Sequence, residues 1–148
     1  MNILYFAMAF LGGAVTPLQA GLNRRLGVGL GNPLHATIAN FMVGSFAAAG
    51  IMFVLLLAGV VKMPSRLGEA PWWSWLGGLC GVALVFSATV AVDKLGYAGM
   101  TVALVAGQMV VSIIMDHFGI LAAVREVSLL RIAGVALLVA GVILIQRG

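Results

Sequence analysis

The sequence predicts an all-α integral membrane protein with five transmembrane helices, because it is highly apolar and its apolar stretches are separated by short polar segments. Of the 148 residues, 63% are apolar and only 8% are charged, whereas charged residues make up about 25% of an ordinary soluble domain. The mean hydropathy is +1.17. Its 8 basic and 4 acidic side chains cannot cover the surface of a soluble monomer. The composition therefore excludes a soluble enzyme, a secreted disulfide scaffold and a disordered tail.

Five apolar stretches are long enough to cross the hydrocarbon core of a bilayer, which takes about 20 residues. No Lys or Arg precedes the long apolar part of the first stretch, so we expect a retained span rather than a cleaved signal peptide. The second stretch is long enough to tilt. No domain boundary is visible, so residues 1–148 are predicted to form one domain. The predicted spans are residues 3–22, 34–61, 73–92, 98–115 and 129–145.

The segments between the spans carry turn and boundary signals. Residues 23–33 contain two arginines and three glycines, and residues 93–96 are predicted to form a tight turn. Pro71 suits the first turn of the third helix. The tryptophans directly after it favour the headgroup layer, so they are predicted to be interfacial anchors, with ligand stacking as the alternative. These tryptophans are Trp72, Trp73 and Trp75.

Basic residues in short loops set the orientation of a membrane protein, and here the predicted spans divide them evenly between the two sides. One side has Lys62, Arg66, Arg125 and Arg131, and the other has Arg24, Arg25, Lys94 and Arg147. If Arg131 is drawn into the membrane end, the division is three against four, and there is still almost no bias. Such a chain can insert in both orientations, and two opposed copies can pair as an antiparallel dimer. The alternative is an orientation set by folding or by a partner subunit. The net charge of +4 does not indicate nucleic-acid binding, since the sequence has no basic cluster longer than the pair Arg24 and Arg25.

Small residues in the last span predict a helix–helix interface. Gly134 and Gly141 are seven residues apart and fall on one face, and Ala140 pairs with Ala136 in a small-xxx-small pattern. Small residues let membrane helices approach closely. We therefore predict that Gly134, Ala140 and Gly141 lie at a dimer interface.

Several stretches of the chain resemble one family of membrane proteins. They are TPLQAGLNRRLG (residues 16–27), ATIANFMVGSFA (36–47), PWWSWLGGLCGV (71–82) and VALVAGQMVVSIIMDHFG (102–119). They are similar to the YdcZ-type inner membrane exporters of the drug/metabolite transporter superfamily. GVALLVAGVILI (residues 134–145) resembles the dimerising last helix of the related small multidrug resistance proteins.

The resemblance implies a five-helix half-unit of a ten-helix drug/metabolite transporter fold, working as a dimer in a bacterial inner membrane. One departure concerns the mechanism. Small multidrug resistance proteins carry a glutamate in the first helix, whereas the first span here has no acidic residue. A simple proton/cation antiport is therefore not carried over from the resemblance.

Polar side chains inside a membrane face the bundle interior or a wet cavity. Helical spacing gives three of the predicted spans one face of small and polar residues. These faces are Gly12, Thr16, Gln19 and Asn23; Thr37, Asn40, Gly44 and Ala48; and Thr101, Gln108, Ser112 and Asp116. From them we predict that Gln19, Asn23, Asn40, Gln108 and Asp116 line a substrate pathway.

Each of these residues also has a purely structural interpretation. The amides can be interhelical hydrogen-bonding groups. For the threonines and Ser112, hydrogen bonds to their own helix are the favoured interpretation. Asp116 can be an interfacial acid paired with Arg125 or Arg131.

The sequence favours a small transporter that moves an unidentified small solute by alternating access. A small dual-topology ion channel and a non-transporting accessory subunit are the alternatives. No nucleophile has a nearby base and no residues have metal-ligand spacing, so an enzyme, a metal site and a cofactor are not predicted. The expected partners are the lipid bilayer, and a second copy of the chain or a close paralogue.

Overall fold

The computed structural model describes residues 3–63, 67–121, 124 and 128–147, and these ranges contain helices and no strand. Three helices are long and apolar enough to cross a membrane within this part of the chain, and α4 is a shorter apolar helix. Two short 3₁₀ turns, Leu67–Glu69 and Trp72–Leu76, precede α3. The helices are α1 (Ile3–Gly29), α2 (Pro33–Leu57), α3 (Gly77–Phe118) and α4 (Leu129–Arg147).

The contacts divide the chain into two compact units. The inner-chain unit is Leu22–Val90. The terminal unit comprises residues 1–21 and 91–148. Arg66 and Arg125, which were counted in the loop charges, lie outside the described residues.

The first helix continues well beyond the predicted end of its span at residue 22. α1 has 27 residues and stays helical across Pro17, which gives a length of about 40 Å. The hydrocarbon core is about 30 Å thick. Arg24 and Arg25 lie within this extension, because arginine is a good helix former even outside an apolar stretch. The predicted connection of residues 23–33 is therefore mostly helix.

A tight turn joins α1 to α2. The Oδ1 of Asn32 accepts a hydrogen bond of 2.8 Å from the backbone N–H of Leu34, and Pro33 occupies the first turn of α2. Asn32 is therefore a side-chain N-cap. Proline suits the position after it, because the backbone N–H that proline lacks would have no partner within the helix there. A Cβ added at Gly27 would lie 3.3 Å from the Cα of Pro33 and 3.7 Å from the Cβ of Ala36. The two helices approach closely because Gly27 has no side chain.

Gly59 sets the end of α2 at Leu57, four residues before the predicted end of the span at residue 61. Gly59 has φ +69, which glycine adopts without steric cost. Its N–H donates to the carbonyl of Leu56 at 3.0 Å, and the N–H of Val60 donates to the carbonyl of Leu55 at 3.0 Å. These two bonds form a Schellman motif, which satisfies carbonyls at the helix end.

The third helix is broken at Gly96. α3 spans 42 residues, but Gly96 has φ 68 and ψ 175, which is not helical. This region of backbone conformation is essentially restricted to glycine. The predicted turn at 93–96 is thus helical through residue 95 and broken only at its last residue. We call residues 77–95 the first segment of α3 and residues 97–118 its second segment.

Two glycine contacts hold helices together within the units. In the terminal unit, a Cβ added at Gly21 would lie 3.0 Å from the Oη of Tyr97. In the inner-chain unit, a Cβ at Gly81 would lie 3.3 Å from the ring Cζ of Phe41. Each glycine therefore makes room for an aromatic ring on the facing helix, as small residues do in membrane bundles.

Few apolar side chains are buried by the chain itself. Among the described residues, Met100 is the only large one that is fully buried. Most Leu, Ile, Val and Phe side chains are exposed. Such extensive apolar exposure is typical of a surface that lipid or another chain covers. The buried apolar residues are Ala20, Ala36, Ala88, Val92 and Met100.

We predict that Gly96→Ala destabilises the protein by about 1–3 kcal/mol, because alanine is strained at the backbone conformation of Gly96. Thermal unfolding in detergent, followed by circular dichroism, measures the effect. Gly107→Ala is the matched control, since Gly107 is helical and a Cβ there meets no atom within 4 Å. Alanine there should be neutral, or stabilising by about 0.5–1 kcal/mol. Equal effects of the two substitutions on the unfolding temperature would contradict a non-helical backbone at Gly96.

Candidate functional site

A shallow groove runs along the second segment of α3 in the terminal unit. Its volume is about 460 Å³. Gln108 and Ser112, which the helical spacing places on one face, both line it. The other lining residues are Ala103, Leu104, Gly107 and Val111. One predicted amide and one predicted hydroxyl therefore share a surface that can offer hydrogen bonds to a ligand.

An ion pair lies one helical turn beyond this groove. The Nη1 of Arg131 donates to the Oδ2 of Asp116 over 3.1 Å, and the two side chains are 41% and 36% exposed, respectively. The pairing of Asp116 with Arg131 confirms one of the two partners that the sequence offered, and Arg125 lies outside the described residues. Because the pair is more than a third exposed, its contribution to stability is about 0.2–1 kcal/mol.

Two threonine hydroxyls bond to their own helix, and a third does not. The Oγ1 of Thr37 donates to the carbonyl of Pro33 at 3.1 Å, and that of Thr89 donates to the carbonyl of Val85 at 2.7 Å. The Oγ1 of Thr101 is buried and has no hydrogen-bond partner in the described part of the chain. The prediction that threonines bond back to their helix is confirmed for Thr37 and wrong for Thr101.

Asn23 is the most buried of the predicted pathway residues. It is 3% exposed, and its Nδ2 has no hydrogen-bond partner among the described residues. It lies in the inner-chain unit, one turn before Gly27, which packs against the start of α2. Asn40 lies on α2 in the same unit and is half-buried. The structure thus gives one amide an unsatisfied donor inside the protein.

An apolar groove of about 360 Å³ occurs in the inner-chain unit. It was not predicted as a site, although its residues recur on α2 at intervals of three and four, which is the signal of one helix face. The groove can accept an apolar group. Its lining residues are Thr37, Ile38, Phe41, Met42, Ser45, Phe46 and Val82.

The predicted dimer-interface residues lie on a face of α4 that touches little else in the chain. A Cβ added at Gly134 or Gly141 would meet no atom within 4 Å, and Ala140 is exposed. Three leucines at seven-residue intervals accompany the glycines. Leu130, Leu137 and Leu144 are 85%, 74% and 72% exposed. We call Leu130, Gly134, Leu137, Gly141 and Leu144 the α4 seam.

The predicted pathway residues are divided between the two units. Gln19, Gln108 and Asp116 belong to the terminal unit, where Gln19 is half-buried on α1. Asn23 and Asn40 belong to the inner-chain unit. Their meeting on one pathway stays a prediction. Within the described residues, no three His, Cys, Asp or Glu side chains are grouped so that they could hold a metal ion.

Comparison with known proteins identifies one family. The family model described as "Putative inner membrane exporter, YdcZ" matches residues 4–144. No curated protein matches the chain, and no solved structure matches it.

We predict a small coupling free energy between Asp116 and Arg131. A double-mutant cycle with Asp116→Asn and Arg131→Gln should give about 0.2–1 kcal/mol, as expected for an exposed ion pair. The free energy of unfolding of the four proteins in detergent measures it. A second cycle with Asp116→Asn and Arg147→Gln is the control, because the effects of substitutions at distant sites on the free energy of unfolding are additive. A coupling equal to that of the control would contradict a stabilising pair.

Proposed function

Because the chain belongs to the YdcZ-type family of inner membrane exporters, which matches residues 4–144, we propose that it exports a small solute across a bacterial inner membrane. The working unit is a dimer that operates by alternating access. The family match over nearly the whole chain is the observation that carries this proposal. The exposed apolar helices support it, since they require a bilayer around them.

Five membrane crossings are part of the proposal, with α3 contributing two of them. As one straight helix, its 42 residues would extend about 63 Å, which is roughly twice the thickness of the hydrocarbon core. Divided at Gly96, the first segment is about 28 Å long and the second about 33 Å. Asp93 and Lys94 lie just before the break, which favours a position at the membrane surface because charged groups are costly inside lipid.

The α4 seam supports a dimer of two copies. Its leucines and glycines alternate at intervals of four and three residues, which is the spacing of helices that pack along a common seam. The leucines are exposed, and no atom of the described chain lies near the two glycines. A second α4 can therefore approach closely and bury both residue types.

An antiparallel arrangement of the two copies follows from the even division of basic residues between the two sides. With almost no positive-inside bias, each copy is free to insert in either orientation. Two opposed copies then form the equivalent of the inverted repeat found in larger transporters, with a solute site near the midplane.

The solute pathway of the proposed transporter uses the polar side chains that helical spacing places on one face of three predicted spans. Gln108 is exposed in the groove of the second segment of α3. Asp116 contributes as one member of a charge-balanced pair. The remaining members are Gln19, Asn23 and Asn40.

We predict dual topology. In a Cys80→Ala background, which removes the single cysteine of the chain, a cysteine is added at one terminus or the other. A membrane-impermeant maleimide is then applied to intact cells. Because an odd number of crossings places the termini on opposite sides, each terminus should be labelled in part of the population. One clean orientation would exclude the antiparallel homodimer.

We predict that Gln108→Ala and Asp116→Asn each lower solute flux about tenfold, the effect of losing about 1.4 kcal/mol of interaction free energy. Purified protein in liposomes, with and without a pH gradient, provides the measurement, and circular dichroism checks folding. Met109→Ala is the matched control on the neighbouring face of the same helix. Wild-type flux in both variants would contradict the site. Large single-channel currents, instead of slow saturable flux, would show a channel.

A further inference from the structure

The ion pair between Asp116 and Arg131 continues the polar face of the groove in the terminal unit. Gln108 and Ser112 line that groove, and Asp116 follows Ser112 by four residues on the same helix. Four residues of helix give a rise of about 6 Å. Arg131 reaches the carboxylate of Asp116 from α4, over 3.1 Å. A small solute in the groove therefore has both charges at one end of it.

Both charges lie at the helix end that disfavours them. α3 ends at Phe118, so Asp116 lies in its last turn. α4 begins at Leu129, so Arg131 lies in its first turn, where the Oγ of Ser128 accepts a hydrogen bond from the backbone N–H of Arg131 over 3.3 Å. A helix carries partial negative charge at its C-terminal end and partial positive charge at its N-terminal end. The acid and the base each lie beside a helix end of their own sign, which is unfavourable for stability.

The pair leaves part of each charged group available to a ligand. One hydrogen bond joins the two side chains, from the Nη1 of Arg131 to the Oδ2 of Asp116. A guanidinium has further N–H donors, and a carboxylate has a second oxygen. Both side chains are more than a third exposed. A ligand can therefore bind the remaining donors and the remaining oxygen while the pair stays formed.

From this arrangement we infer that the transported solute is a small zwitterion, with an ammonium group that binds Asp116 and a carboxylate that binds Arg131. The inference rests on the proposed function, and it makes Arg131 a residue that determines specificity. Each end of such a solute lies next to a side chain of opposite charge and next to a helix end of opposite sign. The amide of Gln108 and the hydroxyl of Ser112 bind polar groups on the rest of the solute.

A solute with a single charge fits this site less well. An anion on Arg131 also lies close to the carboxylate of Asp116, and a cation on Asp116 lies close to the guanidinium, and such like-charge contacts are unfavourable. A neutral solute gains nothing from either charge. His117 is exposed and lies about 100° from Asp116 around the helix. Arg125 and Glu126 are outside the described residues, and their opposite charges add no net charge.

The test compares solutes of similar size that differ in charge. The full-length protein is reconstituted in liposomes, and uptake of labelled solutes is measured against empty vesicles at slightly acidic pH. One set is L-serine, L-serinamide, glycerate and glyceramide, and the other is L-phenylalanine, its amide, phenyllactate and phenyllactamide. Each set is zwitterionic, cationic, anionic and neutral in that order. We expect saturable uptake of the zwitterion of at least one set, about tenfold faster than uptake of its three analogues.

Removing one charge at a time should change which solute is carried. Arg131→Gln leaves Asp116 in place, so uptake of the zwitterion should fall about tenfold and uptake of the cation should rise. Asp116→Asn leaves Arg131 in place, so the same fall should be accompanied by a rise for the anion. Arg131→Lys keeps the positive charge and should retain uptake of the zwitterion. Arg147→Gln, at the other end of α4, is the matched control and should leave uptake unchanged.

The outcomes separate this inference from the proposed function. Saturable uptake of a cation, an anion or a neutral solute, with none of either zwitterion, would overturn the inference and leave the transporter intact. Uptake of the zwitterion that falls in Arg131→Gln and Asp116→Asn without any change in charge preference, or that does not fall, would also overturn it. Circular dichroism checks folding, and if Arg131→Gln does not fold, Asp116→Asn decides alone. If folded protein moves no solute from either set, the proposed function fails and the inference fails with it.

Discussion

The structure depends on one constraint: the bilayer core offers no hydrogen-bond partners, so the chain must supply them itself. This constraint makes every regular element of the described chain helical and requires that helix ends be capped, as α2 is by Asn32 and Gly59. It also explains why the buried hydroxyl of Thr89 turns back to its own helix. Against this background the unpaired atoms of Asn23 and Thr101 are the exceptions among the described residues.

Little of the apolar surface is used to hold the chain together. Lipid tails are as apolar as leucine, so helices gain little from packing large side chains against one another. The contacts that join helices instead use glycine, at Gly21 against Tyr97 and at Gly81 against Phe41. Close backbone approach and shape fit therefore replace the hydrophobic core of a soluble protein, and the large side chains remain on the outside.

Composition was sufficient to predict the membrane class, but not the helix ends. Apolar length marks the part of a helix that lies in lipid, so it missed the extension of α1 beyond residue 22. The break at Gly96 was located to within a turn, because glycine next to charged residues is a local signal. The pairing of Asp116 with Arg131 was also foreseeable, since only a short segment separates them. Whether Asn23 has a partner depends on neighbours in three dimensions, which no spacing reveals.

The α4 seam has a consequence for how a pair of such proteins can evolve. Its side chains run large, small, large, small, large from Leu130 to Leu144, so the order of sizes is the same when the helix is read from either end. In the proposed dimer, this order of side chains does not favour one orientation of the partner, which leaves orientation to the basic residues of the loops. One basic residue gained or lost in a loop is enough to tip the predicted balance of four against four. If the proposed dimer forms through this seam, two copies that arise by gene duplication can become fixed in opposite orientations while the seam between them stays unchanged.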